Sequence, residues 1–326
     1  MPEHTLVEAV NRALAWEMAA DPNVILFGED VGKDGGVFRA TVDLLDRFGP
    51  ERVRDTPLSE TVIAGMAVGM AAQGLKPVAE IQFMGFVYPA IDQILNHASR
   101  LRTRTRGRLT CPMVLRTPCG AGIHAPEHHS ESTEVLFVHI PGLRVVIPSS
   151  PARAYGLLLA AIRDPDPVIF LEPTRIYRLL RQEVTDNGEA LPLDVCFALR
   201  EGTDVTLVSW GAMIHETLTA ANQLAAEGIN AEVIDVATLK PLEVGTIIES
   251  VQKTGRCVII HEAARTVGVG AEIAAQLAEK CLLSLLAPVQ RVTGYDTVVP
   301  LHRLEKHYMP DVPRIVAAVK RTLEYA

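Results

Sequence analysis

A few polar residues stand out because their surroundings are apolar. Glu60 is the one charge in the stretch TPLSETVIAGMAVGMAAQG, residues 56–74. A lone carboxylate at the mouth of an apolar helix either complements the helix dipole or serves a buried proton-transfer site, and the stretch alone leaves both open. Gly65 and Gly69 lie inside the same helix. Glycine there costs roughly 1 kcal/mol relative to alanine, so something is expected to pack close. Glu29 follows the apolar run 24–27, in Gly28-Glu29-Asp30. Gln82 and Phe83 close a second apolar run, 77–83, and Phe86 follows it. A carboxylate, an amide and an aromatic face together would suit a planar heteroaromatic ligand; ordinary packing of Phe83 and Phe86 is the competing explanation. His124, His128 and His129 sit in GAGIHAPEHHSES. Histidine titrates near neutral pH, which suits a catalytic or substrate-orienting role. Zinc is the alternative, but Pro126 disfavours a helical His124/His128 pair and no cysteine is suitably spaced.

The elements that must position these residues read as alternating strands and helices. Helices are expected at 5–20, from Pro57 to about 74, 88–104, 152–162, 214–226 and 312–323. Strands are expected at 24–27, 77–83, 113–116, 145–147, 168–171, 205–209, 231–236, 257–261 and 289–292. Such alternation implies α/β architecture: mostly parallel sheets covered by helices. Loops beyond the C-terminal ends of parallel strands are where ligands bind in these folds, and Glu29, Glu60 and Gln82 could all lie along one sheet edge. Residues 181–194 are polar, contain Asn187-Gly188 and Pro192, and lack periodicity, which reads as a linker. The expected division is a first domain over 1–185, a linker over 186–200 and a second domain over 201–326.

Composition excludes several classes. The net charge of -8 argues against a general nucleic-acid binder. No apolar run approaches the roughly 20 residues needed to span a membrane, and the N-terminus lacks the apolar core of a secretory signal. The five scattered cysteines form no Cys-x-x-Cys pair and fit free thiols in a reducing, cytoplasmic setting. Gly28, Gly32, Gly35 and Gly36 lack the Lys-Ser/Thr of a phosphate loop, and Gly268-Val269-Gly270 has Ile273 where a dinucleotide fingerprint needs a third glycine. The alternating arginines from Arg100 to Arg108 read as a solvated surface, with docking of an acidic partner as the alternative.

Taken together, FGEDV, GGVFRATVDL, RVRDTPLSE, EIQFMGFVYPAIDQI, HAPEHHSES, PGLRVVIPSSP, DPVIFLEP and GYDT resemble the beta subunit of the thiamine-diphosphate-dependent 2-oxo acid dehydrogenases. The resemblance runs over nearly the whole chain. It implies a transketolase-like fold whose first domain binds the aminopyrimidine of thiamine diphosphate. It also implies an alpha subunit, two of each chain per assembly, which holds the diphosphate and magnesium through a Gly-Asp-Gly motif; the present sequence contains no Gly-Asp-Gly. By this likeness Glu60 meets the pyrimidine nitrogen, Phe86 stacks on the ring, Gln82, Glu29 and Leu58 line the cofactor pocket, and His124 and His129 face substrate. His129 would serve acylation of the lipoyl group on a dihydrolipoyl acyltransferase core. Asp164 sits where some relatives bind potassium, with Asp166 replacing an asparagine seen in several of them. MGFVYP and HAPEHHSES favour pyruvate as substrate; Gly294-Tyr295-Asp296-Thr297 favours a branched-chain 2-oxo acid such as 3-methyl-2-oxobutanoate. An acetoin dehydrogenase subunit and a non-catalytic assembly subunit are further alternatives.

Overall fold

Short runs of β-branched and aliphatic residues, buried on both faces, build the centre of the molecule. The computed structural model describes residues 3–325. Its strands are β1 (Glu3–His4), β2 (Val24–Gly28), β3 (Val53–Asp55), β4 (Lys76–Glu80), β5 (Val114–Cys119), β6 (Arg144–Val146), β7 (Val168–Pro173), β8 (Gln182–Glu183), β9 (Phe197–Arg200), β10 (Val205–Ser209), β11 (Ala231–Asp235), β12 (Thr238–Lys240), β13 (Cys257–Ala264) and β14 (Gln290–Gly294). One sheet has the order β12-β6-β7-β5-β4-β2-β3 and a second the order β14-β13-β10-β11-β9. Both are parallel except at one edge, where β12 and β9 run antiparallel to their neighbours. Burial on both faces explains why these strands carry apolar runs instead of alternation.

Helices cover the faces. Leu6–Ala20 starts with a reciprocal cap: the Thr5 N–H donates to Glu8 at 2.7 Å and the Glu8 N–H to the Thr5 hydroxyl at 3.4 Å. It packs with Pro151–Arg163 on one side of the first sheet, over Leu26, Val78 and Phe170. Met213–Ala226 and Val312–Leu323 cover the outer face of the second sheet. The largest apolar cluster runs from the first sheet into the second, joining Ile147 and Leu171 to Trp210, Ile234 and Ile259. The two sheets therefore share a core, and β12, although late in sequence, joins the first sheet.

Several expected elements change shape. The helix bearing Glu60 begins at that residue and ends at Ala72. Pro57 lies outside it, in the turn after β3, and Asp55 ends that strand with its carboxylate accepting from the Gly32 and Lys33 N–H groups at 2.6 and 3.0 Å. The continuous helix expected over 88–104 is broken into Tyr88–Ala90, Ile91–Asn96, Ala98–Arg100 and Leu101–Arg104. A break falls at His97, whose φ of -119° departs from the roughly -63° of a regular α-helix. Ser99 donates its hydroxyl to the Leu95 carbonyl at 2.9 Å, a side-chain bond that competes with regular helix. Within the segment read as a linker, Gln182–Glu183 pairs with Glu3–His4, and β9 carries the second sheet back to Phe197. Gly268 and Gly270 pack on the His261 ring, where a Cβ on either would come within 2.8 Å.

Candidate active site

Because β2, β3, β4 and β5 are parallel, the residues that follow them emerge at one edge of the sheet. Glu29 follows β2, Glu60 opens the helix after β3, Gln82 follows β4, and the loop after β5 carries His129. The common edge expected from sequence is thus formed.

Glu29 is buried, and neither carboxylate oxygen has a hydrogen-bond partner. Burial pushes its pKa up, and the charges of Glu60 and Asp30 push the same way; the Ser59 N–H is near the carboxylate but outside hydrogen-bonding geometry and relieves it only in part. Two carboxylates within electrostatic reach, one dry and orphaned, form a place where a proton is retained. Glu60 is half-buried at the first position of its helix, and among the described residues no hydrogen bond or ion pair within the chain uses its carboxylate. Gln82 donates to Asp30 at 2.9 Å, which fixes the amide beside the acid pair.

Aromatic rings form the other wall. The His129 ring stands edge-on to Phe83 and Phe86 at centroid distances of 4.2 and 5.3 Å. Phe83 meets Phe86 at 5.7 Å and Phe38 at 5.4 Å, and His128 lies 4.2 Å from His129. Burial, with the neighbouring His128, lowers the His129 pKa, so the neutral imidazole dominates at pH 7. Its Nδ1 is buried without a partner. The turn Met84–Phe86 approaches the turn Glu127–His129 so closely that a Cβ on Gly85 would lie 2.1 Å from the His128 carbonyl oxygen. Nothing in Met84-Gly85-Phe86 marks that requirement in the sequence, and Asp30 and Phe38 are equally unmarked.

Other expected site residues lie elsewhere. Leu58 is 80% exposed, on the rim before Glu60. His124 is drawn to the second domain, with Nδ1 2.8 Å from Glu305. Asp164 lies ahead of β7, at the opposite edge of the sheet. One of its oxygens pairs with Arg144 at 2.8 Å and the other accepts from the Asp166 N–H at 2.8 Å. Among the described residues no cluster of three or more His, Cys, Asp or Glu is placed to hold a metal.

Beneath the site, Arg116 is buried between Glu80 at 2.6 Å and Glu172 at 2.7 and 2.9 Å, and the Tyr177 hydroxyl donates to Glu172 at 2.6 Å. Burial raises the Glu80 pKa against the pull of Arg116. Phe38 packs at a tilt on Tyr177, with ring centroids 5.1 Å apart, linking this network to the aromatic wall.

Known proteins are similar to this chain in sequence and fold. The family model "Transketolase, pyrimidine binding domain" matches residues 3–179, and "Transketolase, C-terminal domain" matches residues 196–315. A solved structure described as "Split gene transketolase, inactive beta4 tetramer" has the same fold, with a TM-score of 0.82 over 99% of each chain at 24% identity. Fold and site edge define a two-domain protein of the transketolase type. "Pyruvate dehydrogenase E1 component subunit beta" of Acholeplasma laidlawii is 48% identical over 317 residues, 97% of each chain. The protein of the same description from Bacillus subtilis (strain 168) is 46% identical over 325 residues, the full length of both. The chain belongs to the family of pyruvate dehydrogenase E1 beta subunits.

Proposed function

We propose that this chain is the pyrimidine-binding half of an enzyme that oxidatively decarboxylates pyruvate with thiamine diphosphate and passes the acyl group to the lipoyl group of a dihydrolipoyl acyltransferase. The observation that carries the reading is the orphaned, buried Glu29 beside the free carboxylate of Glu60, at the sheet edge that the pyrimidine-binding model covers. An aminopyrimidine fits these residues: it offers donors and acceptors to unpaired carboxylates and a planar face to Phe86.

Thiamine diphosphate, when bound, supplies the carbanion chemistry by which a 2-oxo acid loses carbon dioxide; the protein supplies orientation and proton management. Glu60 holds a proton at the pyrimidine ring nitrogen. Glu29, its pKa raised, limits the negative charge gathered at that spot. Gln82, fixed by Asp30, presents its amide to the polar edge of the ring, and Leu58 shields the rim. His129, kept neutral by burial, orients the lipoyl sulfur through a hydrogen bond from its single N–H, while His124, paired with Glu305, anchors the same loop. A potassium ion beside Asp164 would have to share that carboxylate with Arg144.

An alpha subunit is the partner in this reading, two of each chain, holding the diphosphate and magnesium. Two features support it. The sequence contains no Gly-Asp-Gly. The helix Glu60–Ala72 has no polar face, and Leu58, Val62 and Met66 are exposed beside Glu60; an exposed apolar patch of this kind marks an interaction surface. Gly69 faces open space on this helix, whereas Gly65 already faces Gln93 of the same chain at 3.4 Å, so only Gly69 is free to admit a partner closely.

Reconstitution with the alpha subunit tests the reading. Turnover of pyruvate should require both chains and exceed that of 3-methyl-2-oxobutanoate. Glu60→Gln should lower it by at least ~100-fold with the assembly intact. Near-normal turnover in that variant would sink the assignment.

A further inference from the structure

We propose that Glu262 and Glu305 of the second domain are positioning residues for the acyl-transfer step, acting as a clamp on the loop that carries His129. The inference rests on the role given to His129 above, and it assigns the second domain a part in the chemistry beyond assembly.

The loop leaves β5 at Cys119 and returns at Ser132. Its neck is closed by the Gly120 N–H donating to the Glu131 carbonyl at 2.8 Å. Both limbs of that neck end on one carboxylate from the other domain. The Ala121 N–H and the Ser132 hydroxyl, the latter at 2.9 Å, donate to the same oxygen of Glu262, on β13. Glu305, in the helix His302–Tyr308, accepts from the Gly122 N–H at 2.7 Å and pairs with His124 at 2.8 Å. Both acids are buried, so their hydrogen bonds do not compete with bulk water. A further tie runs the other way, from the Trp210 indole N–H to Glu134 at 3.3 Å.

The local sequence is shaped for this approach. Gly120 and Gly122 have φ of +90° and +95°, a region that side chains rarely adopt. A Cβ on Gly120 would lie 3.0 Å from the Glu262 carboxylate, and one on Gly122 would lie 2.2 Å from the Arg175 side chain. At the far end of the loop, His128 and His129 meet Phe83 and Phe86. A loop pinned at its neck by the two acids and seated at its far end on Phe83 and Phe86 transmits a shift at Glu262 to His129. A misplacement of about 1 Å can cost ~100-fold in rate.

The test uses the enzyme reconstituted with its alpha subunit and carrying Glu262→Ala, Glu262→Gln, Glu305→Ala or the milder Ser132→Ala. Hydrogen exchange over residues 120–132 is read beside kcat and KM for lipoyl-domain acylation and for decarboxylation with an artificial acceptor. Glu262→Ala and Glu305→Ala should speed exchange at least tenfold and lower kcat for acylation by ~10- to 100-fold, with a smaller effect on the artificial acceptor. Glu262→Gln keeps an acceptor oxygen and should restore most of both. Ser132→Ala, which keeps the carboxylate and removes one donor, should show the same pattern more weakly, and it serves if Glu262→Ala does not fold. Unchanged exchange in Glu305→Ala and Ser132→Ala would overturn the clamp, and faster exchange with normal acylation would overturn its positioning role. A His129→Ala enzyme with normal acylation would instead overturn the underlying assignment of His129.

Discussion

At the scale of single residues, the site is defined by groups that the fold leaves dissatisfied. Burying a carboxylate without a partner is costly, and Glu29 is held in that state. Replacing it by glutamine removes the charge and keeps the shape. Glu29→Gln should therefore raise the unfolding free energy of the isolated chain, by about 1–3 kcal/mol at neutral pH, while lowering turnover of the reconstituted enzyme. The sign with pH follows from the raised pKa: the acid's contribution to stability is present below the ordinary carboxylate range and is lost as pH rises through the raised value. The gap between the variant and the parent chain should widen with pH in urea titrations, and a constant gap would remove the explanation. His129→Ala should slow lipoyl acylation more than decarboxylation with an artificial acceptor; equal losses would move His129 to another step. Glu60 is recognisable in the sequence as a lone charge in an apolar stretch, and Glu29 as the acid that follows the apolar run 24–27. That Glu29 is buried without a partner is not legible there, because it sits beside Asp30 in an ordinary turn sequence.

At the scale of elements, strands and long helices are legible because their apolar patterns reflect which faces are covered. The helix Leu6–Ala20 follows directly from its amphipathic period, and β2, β7 and β10 from their continuous apolar runs. What escapes are β1, β3, β8, β9 and β12, each two to four residues long, which owe their existence to pairing partners distant in sequence. The break at His97 escapes for a similar reason, since it depends on a side-chain bond within the turn. The approach of Met84–Phe86 to Glu127–His129 is the tightest element contact at the site. Gly85→Ala would place a Cβ 2.1 Å from the His128 oxygen, so one turn must withdraw. The expected result is faster hydrogen exchange over residues 127–130 and a loss of acylation of ~100-fold; unchanged values for both would show that the turns yield freely.

At the scale of the whole molecule, stability rests on buried charges as well as on the shared apolar core. Arg116 balances Glu80 and Glu172 at the centre of the first sheet. Removing one member of such a group leaves uncompensated charge, so Arg116→Met should cost about 3–5 kcal/mol, read from the urea midpoint. Adding Glu80→Gln and Glu172→Gln to it should recover much of that loss. Between the domains, burial raises the Glu134 pKa to about 7. A raised acid contributes stability that is whole below its ordinary value of 4.5 and is lost as pH rises through about 7. Across that window the loss runs at about 1.4 kcal/mol per pH unit, so Glu134→Gln should flatten the decline by about 3 kcal/mol in all. A titration with the same slope in both proteins would contradict the burial account.

The sequence by itself determined the α/β class, the mostly parallel character of the sheets and the family, because these follow from local periodicity, the alternation of strands and helices along the chain and residue identity. Only the tertiary structure decided that Glu29 is orphaned, that His129 is half-buried against Phe83 with its Nδ1 unpartnered, and that His124 turns away to Glu305. Those properties depend on which groups from distant segments exclude water or supply a partner, and no local pattern encodes them.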